Sequence, residues 1–225
     1  MNNHLLNTFL ESIILYIVLF GVFIIFEPAE TKALGTTYTI SQTVLTEIAL
    51  VTPASDVVLS PIIDTSIGGT ASGQTQIVVR TNDHLGYSMT MTASSSSGMV
   101  GVASSTHSIP SYETSNSGVP DFTFNIPANK AYFGYTVEAS STADLAQAFK
   151  DSAGVCDAIS GSDTIDSCWI GANTTPYTVI NRTNETPLSG ATTTLKFRVS
   201  ITANPIPALP DDSYVATTTL TATAN

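Results

Sequence analysis

The sequence predicts an all-β extracellular protein, an antiparallel β-sandwich or jelly roll with one short helix, preceded by a hydrophobic N-terminal signal helix. Three observations carry this prediction. An uncharged apolar run lies near the N-terminus, many short segments alternate apolar and polar residues, and only 11% of all residues are charged while Ser and Thr are abundant. No internal repeat divides residues 34–225, so we expect them to form one domain.

The first element is the apolar run at residues 13–26, which contains no charged residue. At about 1.5 Å per residue a helix of this length reaches about 21 Å, which is shorter than a bilayer core of about 30 Å. The run therefore favours a signal peptide, residues 1–33, in which Pro28 breaks the helix and cleavage follows Ala33. Two alternatives stay open: an uncleaved membrane anchor, and a pilin-like helix preceded by Glu11. All three predict a secreted or cell-surface protein, with membrane contact through 13–26 when the segment is uncleaved.

The strands are predicted from an alternation of apolar and polar residues. The clearest case has Leu195, Phe197 and Val199 on one face, with Lys, Arg and Ser between and beside them. A turn-rich stretch between residues 76–80 and 86–93 predicts a hairpin. The predicted strands are residues 37–50, 76–80, 86–93, 121–126, 131–139, 177–183, 192–203 and 213–225.

Three segments depart from this alternation. Residues 94–119 have no sustained period and are rich in Ser and Gly, which predicts an exposed loop. Residues 141–151 predict the short helix, because Ser141 or Thr142 can cap its start and Asp144 suits the helix dipole. Residues 204–212 are rich in proline and predict a stiff, extended connection.

Cys156 and Cys168 are the two cysteines of the chain. In an oxidising compartment, such a pair predicts a disulfide that closes a loop of about 13 residues. A redox pair normally has the spacing C-x-x-C, which this pair lacks. A zinc site needs further ligands, and neither His84 nor His107 has a spacing that pairs with the cysteines.

The cysteine segment also contains Asp157, Asp163 and Asp166. Outside the cell, calcium is bound by carboxylate and carbonyl oxygens, so these three residues are the candidate calcium ligands. Their spacing does not match that of an EF-hand loop, and solvated loop carboxylates are the main interpretation. Apart from this calcium alternative, we expect no cofactor.

Charge and motifs limit the classes of function. With 7 Lys and Arg against 18 Asp and Glu, the formal net charge is −11, which opposes the approach of nucleic acid. The sequence contains no G-x-S-x-G, H-E-x-x-H, P-loop or dinucleotide motif, so we expect no enzyme. A secreted hydrolase that uses paired carboxylates in a cleft stays an alternative.

Three tyrosines suggest a second alternative, a carbohydrate-binding module. Tyr112, Tyr132 and Tyr177 each lie off the apolar phase of a strand or in a loop. Exposed aromatic rings of this kind stack against sugars, so these residues are the candidate glycan-facing aromatics. In this case the partners would be surface glycans or proteins.

Two stretches carry a resemblance: GGTASGQTQIVVRTNDHLGYSMTMTAS at residues 68–94, and LPDDSYVATTTLTATAN at residues 209–225. They resemble secreted bacterial surface β-sandwich proteins, a group that includes WxL-type cell-wall domains and spore-coat or fimbrial-type domains. The resemblance implies a non-catalytic structural or adhesive role. The sole tryptophan, Trp169, follows Cys168 rather than forming the WxL motif, so wall attachment is not implied. The predicted N-terminal and C-terminal strands could pair with a second copy of the chain by strand addition.

Overall fold

The computed structural model describes residues 3–25 and 39–225 of the chain. The chain divides into two compact units, Met1–Thr43 and Val44–Asn225. The first unit contains the α-helix α1, Asn3–Ile25.

The predicted signal or anchor segment, residues 1–33, is described only in part. The expected cleavage position after Ala33 lies outside the described residues. Within the ranges that the structure does describe, no helix has both the length and the apolar character needed to cross a membrane.

The second unit is built from strands of 2 to 14 residues that pair antiparallel. The strands are β1 (Ile48–Thr52), β2 (Gly68–Thr81), β3 (Tyr87–Ala93), β4 (Met99–Gly101), β5 (Ser108–Ile109), β6 (Ala131–Ala139), β7 (Asp151–Ser152), β8 (Val155–Cys156), β9 (Ile170–Gly171), β10 (Tyr177–Arg182), β11 (Ala191–Thr202), β12 (Tyr214–Val215) and β13 (Thr218–Ala224). The prediction of an all-β class is therefore confirmed.

These strands form four sheets, two that contain the longer strands, called the larger sheets, and two with strands of only two or three residues, called the smaller sheets. The larger sheets have the strand orders β1-β2-β11-β6-β9 and β10-β3-β13. The smaller sheets are β12-β4-β5 and the pair β7-β8. The long central strand β11 pairs along its length with β2 on one side and β6 on the other, so it organises the five-stranded sheet.

The core lies between the two larger sheets. Leu195 and Phe197 of β11 lie opposite Val137 and Tyr135 of β6, and all four side chains are buried on the same face. Buried residues of both sheets belong to one cluster, which includes Ile77, Val79, Phe133, Tyr135, Val137, Leu195 and Val199 from the first sheet and Tyr87, Met89, Met91, Val179 and Ile180 from the second. A core shared by two sheet faces fits a β-sandwich.

The predicted hairpin between residues 76–80 and 86–93 is wrong. β2 pairs with β1 and β11, whereas β3 pairs with β10 and β13. The intervening turn therefore carries the chain from one sheet to the other. Gly86 belongs to this turn with φ of 81°, and a Cβ atom there would lie 2.2 Å from the carbonyl oxygen of Arg182. Alternation identifies strands but not their partners.

Other strand boundaries also differ from the prediction. In residues 37–50, β1 covers only the end, and residues 39–47 have no regular secondary structure. Residues 121–126 do not form a strand, although Asp121 makes an isolated bridge with Trp169. The expected loop at 94–119 carries the short strands β4 and β5. In residues 94–126, tertiary contacts override the local pattern.

The predicted short helix at residues 141–151 is replaced by two 3-10 helices, Thr142–Asp144 and Gln147–Phe149. Between them the chain is extended, because Leu145 bridges to Ile180 and Ala146 donates its backbone N–H to the carbonyl of Val179. This pairing with β10 uses backbone groups that a continuous α-helix would need.

Candidate functional site

The predicted disulfide is present between Cys156 and Cys168, with an S–S distance of 2.01 Å. Both residues are buried and belong to the main core. The bridge joins the end of β8 to the residue before Trp169, whose backbone pairs with Asp121. The disulfide therefore holds the two ends of the loop 157–167 together, and the pairing of Trp169 with Asp121 places the second end beside the segment 112–126.

A cluster of four aromatic residues covers the outer face of the five-stranded sheet. This aromatic cluster consists of Tyr112, Phe124, Tyr132 and Trp169. Tyr112 stacks on Phe124 with ring centroids 4.4 Å apart, and Phe124 meets the edge of Trp169 at 5.4 Å. Tyr132 belongs to β6, where its neighbour Phe133 points into the main core, so its own ring points to the opposite face.

Arg198 connects this aromatic cluster to β11. Its guanidinium carbon lies 4.1 Å from the ring centroid of Trp169 and 6.0 Å from that of Phe124, which are cation–π distances. Burial lowers the pKa of Arg198 from its ordinary value, although the Asp166 carboxylate opposes this. Alternation alone predicts that Arg198 faces solvent. In the structure its side chain is half-buried against Phe124 and Trp169, which cover the outer face of the five-stranded sheet.

Next to Arg198 on the same face, Lys196 forms ion pairs with Glu138 and Asp166. The distance from Lys196 Nζ to Asp166 Oδ1 is 3.2 Å. Burial acts to lower the pKa of Lys196, but the hydrogen bonds and charges of the two carboxylates outweigh it and raise the pKa above its usual value. The ammonium group is therefore held in its charged form.

The three candidate calcium ligands do not converge. Asp166 pairs with Lys196, and the carboxylate of Asp163 accepts the backbone N–H of Ala139 at 3.4 Å. Burial raises the pKa of Asp163, which disfavours its charged form. Asp157 is exposed and lines a cleft together with Tyr177 and Asn181. Among the described residues, no group of three or more His, Cys, Asp or Glu side chains is placed to hold a metal ion.

The second unit has two clefts of about 550 Å³ each, and the aromatic cluster contributes Tyr112 and Tyr132 to one of them. Cleft I is lined by residues that include Ala146, Gln147, Asp157, Pro176, Tyr177 and Asn181. Cleft II is lined by residues that include Tyr112, Glu113, Asp121, Asn125, Tyr132 and Cys156. Val119 lines both, so the two clefts adjoin each other.

The carboxylates of cleft II are held by hydrogen bonds. Asp121 Oδ2 accepts the hydroxyl of Tyr112 at 2.9 Å and the backbone N–H of Ser115 at 2.9 Å. The hydroxyl of Ser115 donates to Asp121 Oδ1, so both oxygens are occupied. Glu113 Oε2 accepts the hydroxyl of Tyr132 at 3.2 Å. Asp121 therefore organises the loop, and acid–base chemistry at this residue would require these bonds to break.

The predicted glycan-facing tyrosines are brought to these clefts but differ in exposure. Tyr112 and Tyr132 are 6% and 7% exposed, so the expectation of an exposed row is wrong for these two. Their burial follows from packing in the aromatic cluster. Tyr177 is half-buried in cleft I, and its hydroxyl donates to the carbonyl of Gly118 at 2.8 Å.

The sequence did not point to Phe124 as a member of the aromatic cluster, or to Glu113 and Asp121 as residues that line cleft II. A signal was present in β6, where seven consecutive residues from Ala131 to Val137 are buried. A run without alternation is typical of a strand that is covered on both faces. The run AYFGYTV could therefore have predicted a second layer over the sheet, although not the residues that form it.

Titration of tyrosine tests the environment of Tyr112. Burial, followed by its hydrogen bond to Asp121, raises the pKa of Tyr112 to about 12. Because an unfolded tyrosine ionises near about 10, the folded state loses stability as the pH rises from about 10 toward 12. In a spectrophotometric titration, Tyr112→Phe is expected to remove phenolate absorbance that develops near pH 12. Loss of absorbance near pH 10 instead would contradict this environment.

Comparison with known proteins adds no family assignment. No protein-family model matches the chain, and no curated protein is significantly similar to it. The resemblance to WxL-type and spore-coat or fimbrial-type domains therefore stays a prediction, and the function must be argued from the residues themselves.

Proposed function

We propose that this chain is an exported, non-catalytic structural or adhesive protein of the cell surface, built on a β-sandwich. The observation that carries the proposal is the disulfide between Cys156 and Cys168, whose residues are 6% and 1% exposed in the core of an all-β unit. Structural disulfides of this kind persist in oxidising compartments and are rare in the cytosol. The apolar run at residues 13–26 supports export independently.

The character of the surface supports a structural rather than a catalytic role. Threonine and serine hydroxyls occupy outward positions, such as Thr70 and Ser200, whose hydroxyls lie 3.0 Å apart on neighbouring strands. In cleft II, both oxygens of Asp121 are engaged within the loop. An acid–base pair for hydrolysis would need a carboxylate that is free to exchange a proton with a substrate.

Surface exposure of the full chain in its native cells tests this proposal. With a C-terminal epitope tag, external protease or antibody is expected to reach the protein on intact cells or in the medium, and the disulfide is expected to resist alkylation until it is reduced. A cytoplasmic protein, used as a control, should be protected until lysis. Recovery of this chain in the protected fraction with two reduced cysteines would contradict export.

Carbohydrate binding is the second candidate function, and adjoining clefts I and II favour it. Tyr177 is half-buried in cleft I, where an aromatic face and the amide of Asn181 could contact a sugar. On a glycan panel, Tyr177→Ala is expected to weaken binding by roughly 0.5–1.5 kcal/mol. Tyr214→Ala is the matched control, because Tyr214 is half-buried in β12 and lines neither cleft. Absence of binding to every glycan would remove this candidate.

A further inference from the structure

The edges of the two larger sheets differ in how they are protected against pairing with another chain. Four strands lie at these edges: β1, β9, β10 and β13. β9 has only two residues. β1 has a register shift at its end and is followed by Pro53, and β10 has a register shift and is bridged by Leu145. Short length, bulges, proline and cover are the devices by which edge strands avoid association.

β13 lacks the proline and the register shift, and β1 of the other sheet approaches it without pairing with it. The seven residues of β13, TTLTATA, contain no charge and no proline. Its pairing with β3 is continuous from Thr218 opposite Ala93 to Ala224 opposite Tyr87, without a bulge. In the described part of the chain, no strand pairs with its other edge. Leu220 and Ala222 pack on the core from this strand but stay half-buried, so an apolar row is left partly open.

The segment before β1 alternates apolar and polar residues as a strand does, but it pairs with no strand of the described chain. Residues 39–46, TISQTVLT, have no charge and no regular secondary structure. Ile40 and Val44 are on the same phase of the alternation, and they are 83% and 78% exposed. Exposing such side chains to water is unfavourable, which favours a partner that covers them.

We infer that residues 39–46 of one copy add as a strand to the free edge of β13 in a second copy. The inference rests on the proposed surface role and identifies how copies would associate. Ile40 and Val44 would extend the apolar row of Leu220, while Ser41 and Thr43 would extend the outer threonine row of β13. This phase also places Gln42 in the apolar row and Leu45 in the outer row. A shift by one residue would reverse every side chain and place Ile40 and Val44 on the outer face.

The absence of charge in both segments is compatible with this contact. The chain has a formal net charge of −11, so two copies repel each other at most approaches. Neither TISQTVLT nor TTLTATA contains a charged residue, so pairing them brings no like charges into direct contact. Donor and acceptor are different surfaces of the same chain, so the contact is head-to-tail and generates a ring or an open filament.

Paired lysine substitutions in the full chain test the inference by sedimentation velocity over a range of concentrations, in one mild detergent. The wild-type chain is expected to show concentration-dependent association. Ile40→Lys with Val44→Lys is expected to weaken association about tenfold or more, because the charges would enter the apolar row. Ser41→Lys with Thr43→Lys is the matched control, with the same charge in the same segment but facing outward, and should retain most of the association.

Cross-linking identifies the two surfaces directly. Ser41→Cys in one tagged copy and Thr221→Cys in a differently tagged copy are expected to form an intermolecular disulfide on mild oxidation. Thr70→Cys, on the outer row of the five-stranded sheet, replaces Thr221→Cys in the control mixture and should give little product. The native cysteines are already joined to each other and do not compete.

The outcomes separate this inference from the surface role. A monomer at every concentration overturns strand addition, while protease accessibility on intact cells still decides the surface role. If both lysine variants associate equally, the inference is overturned, because the copies would then associate through another surface. A Ser41→Cys, Thr221→Cys double variant that cross-links only within single copies would also overturn it, because the segment would then cover the edge of its own chain.

Discussion

Asp144→Ala is expected to lower the free energy of unfolding by about 3–5 kcal/mol. Asp144 Oδ2 lies 2.6 Å from Arg182 Nη1, and the two side chains are 8% and 11% exposed. Removal of the carboxylate would leave the guanidinium buried with only the backbone carbonyls of Asn184 and Glu185 as hydrogen-bond acceptors. Urea denaturation of the variant and the wild type measures the difference.

Two further variants show whether the loss comes from the buried charge. Asp211→Ala removes an exposed carboxylate and is expected to change stability by no more than about 0.5 kcal/mol. The double variant Asp144→Leu with Arg182→Met replaces the pair with apolar side chains, and is expected to be more stable than Asp144→Ala. A double variant as unstable as the single one would show that hydrogen bonds, rather than an unpaired charge, dominate.

Cys156→Ser with Cys168→Ser is expected to destabilise the protein by about 3 kcal/mol, because the open chain gains the entropy that the loop had lost. In a domain of 150–250 residues, this corresponds to a fall in Tm of about 6–12 °C. Thermal unfolding followed by circular dichroism measures the change.

A reducing agent separates the effect of the disulfide from that of the serine substitutions. Dithiothreitol is expected to lower the Tm of the wild type toward that of the double serine variant and to leave the Tm of the variant unchanged. A wild-type Tm that resists complete reduction, confirmed by thiol titration, would show that packing around Cys168 and Trp169 holds the loop without the bridge.

Much of the fold follows from local pattern. In β11, Leu195, Phe197 and Val199 are buried and the residues between them are not, because one face of this strand packs on the core. In residues 39–46 the same pattern has no strand partner within the described chain, and only Leu45 is held there, by a hydrogen bond from the Asn82 amide to its carbonyl. Alternation therefore identifies a segment that can form a strand but not the strand that it pairs with. The failed hairpin has the same cause, since β2 and β3 each pair with strands distant in sequence.

The candidate site was predictable only where its chemistry was local. The disulfide was predictable from two cysteines close in sequence together with the expected oxidising compartment. The aromatic cluster brings together Tyr112, Phe124 and Trp169 from separate segments, and Phe124 comes from a segment whose alternation predicted an ordinary strand. Contacts among loops depend on the completed sheet beneath them, and no short stretch of sequence encodes them.

The position of Trp169 gives this protein an internal optical reporter. It is the sole tryptophan of the chain, it is 1% exposed, and its indole N–H donates to the carbonyl of Asp166 at 2.8 Å. Fluorescence of this indole therefore originates from the layer that covers the outer face of the five-stranded sheet, between Arg198 and Phe124. Quenching by a soluble reagent would report detachment of that layer, whereas circular dichroism would report melting of the sheets, so the two events can be timed against each other in one sample.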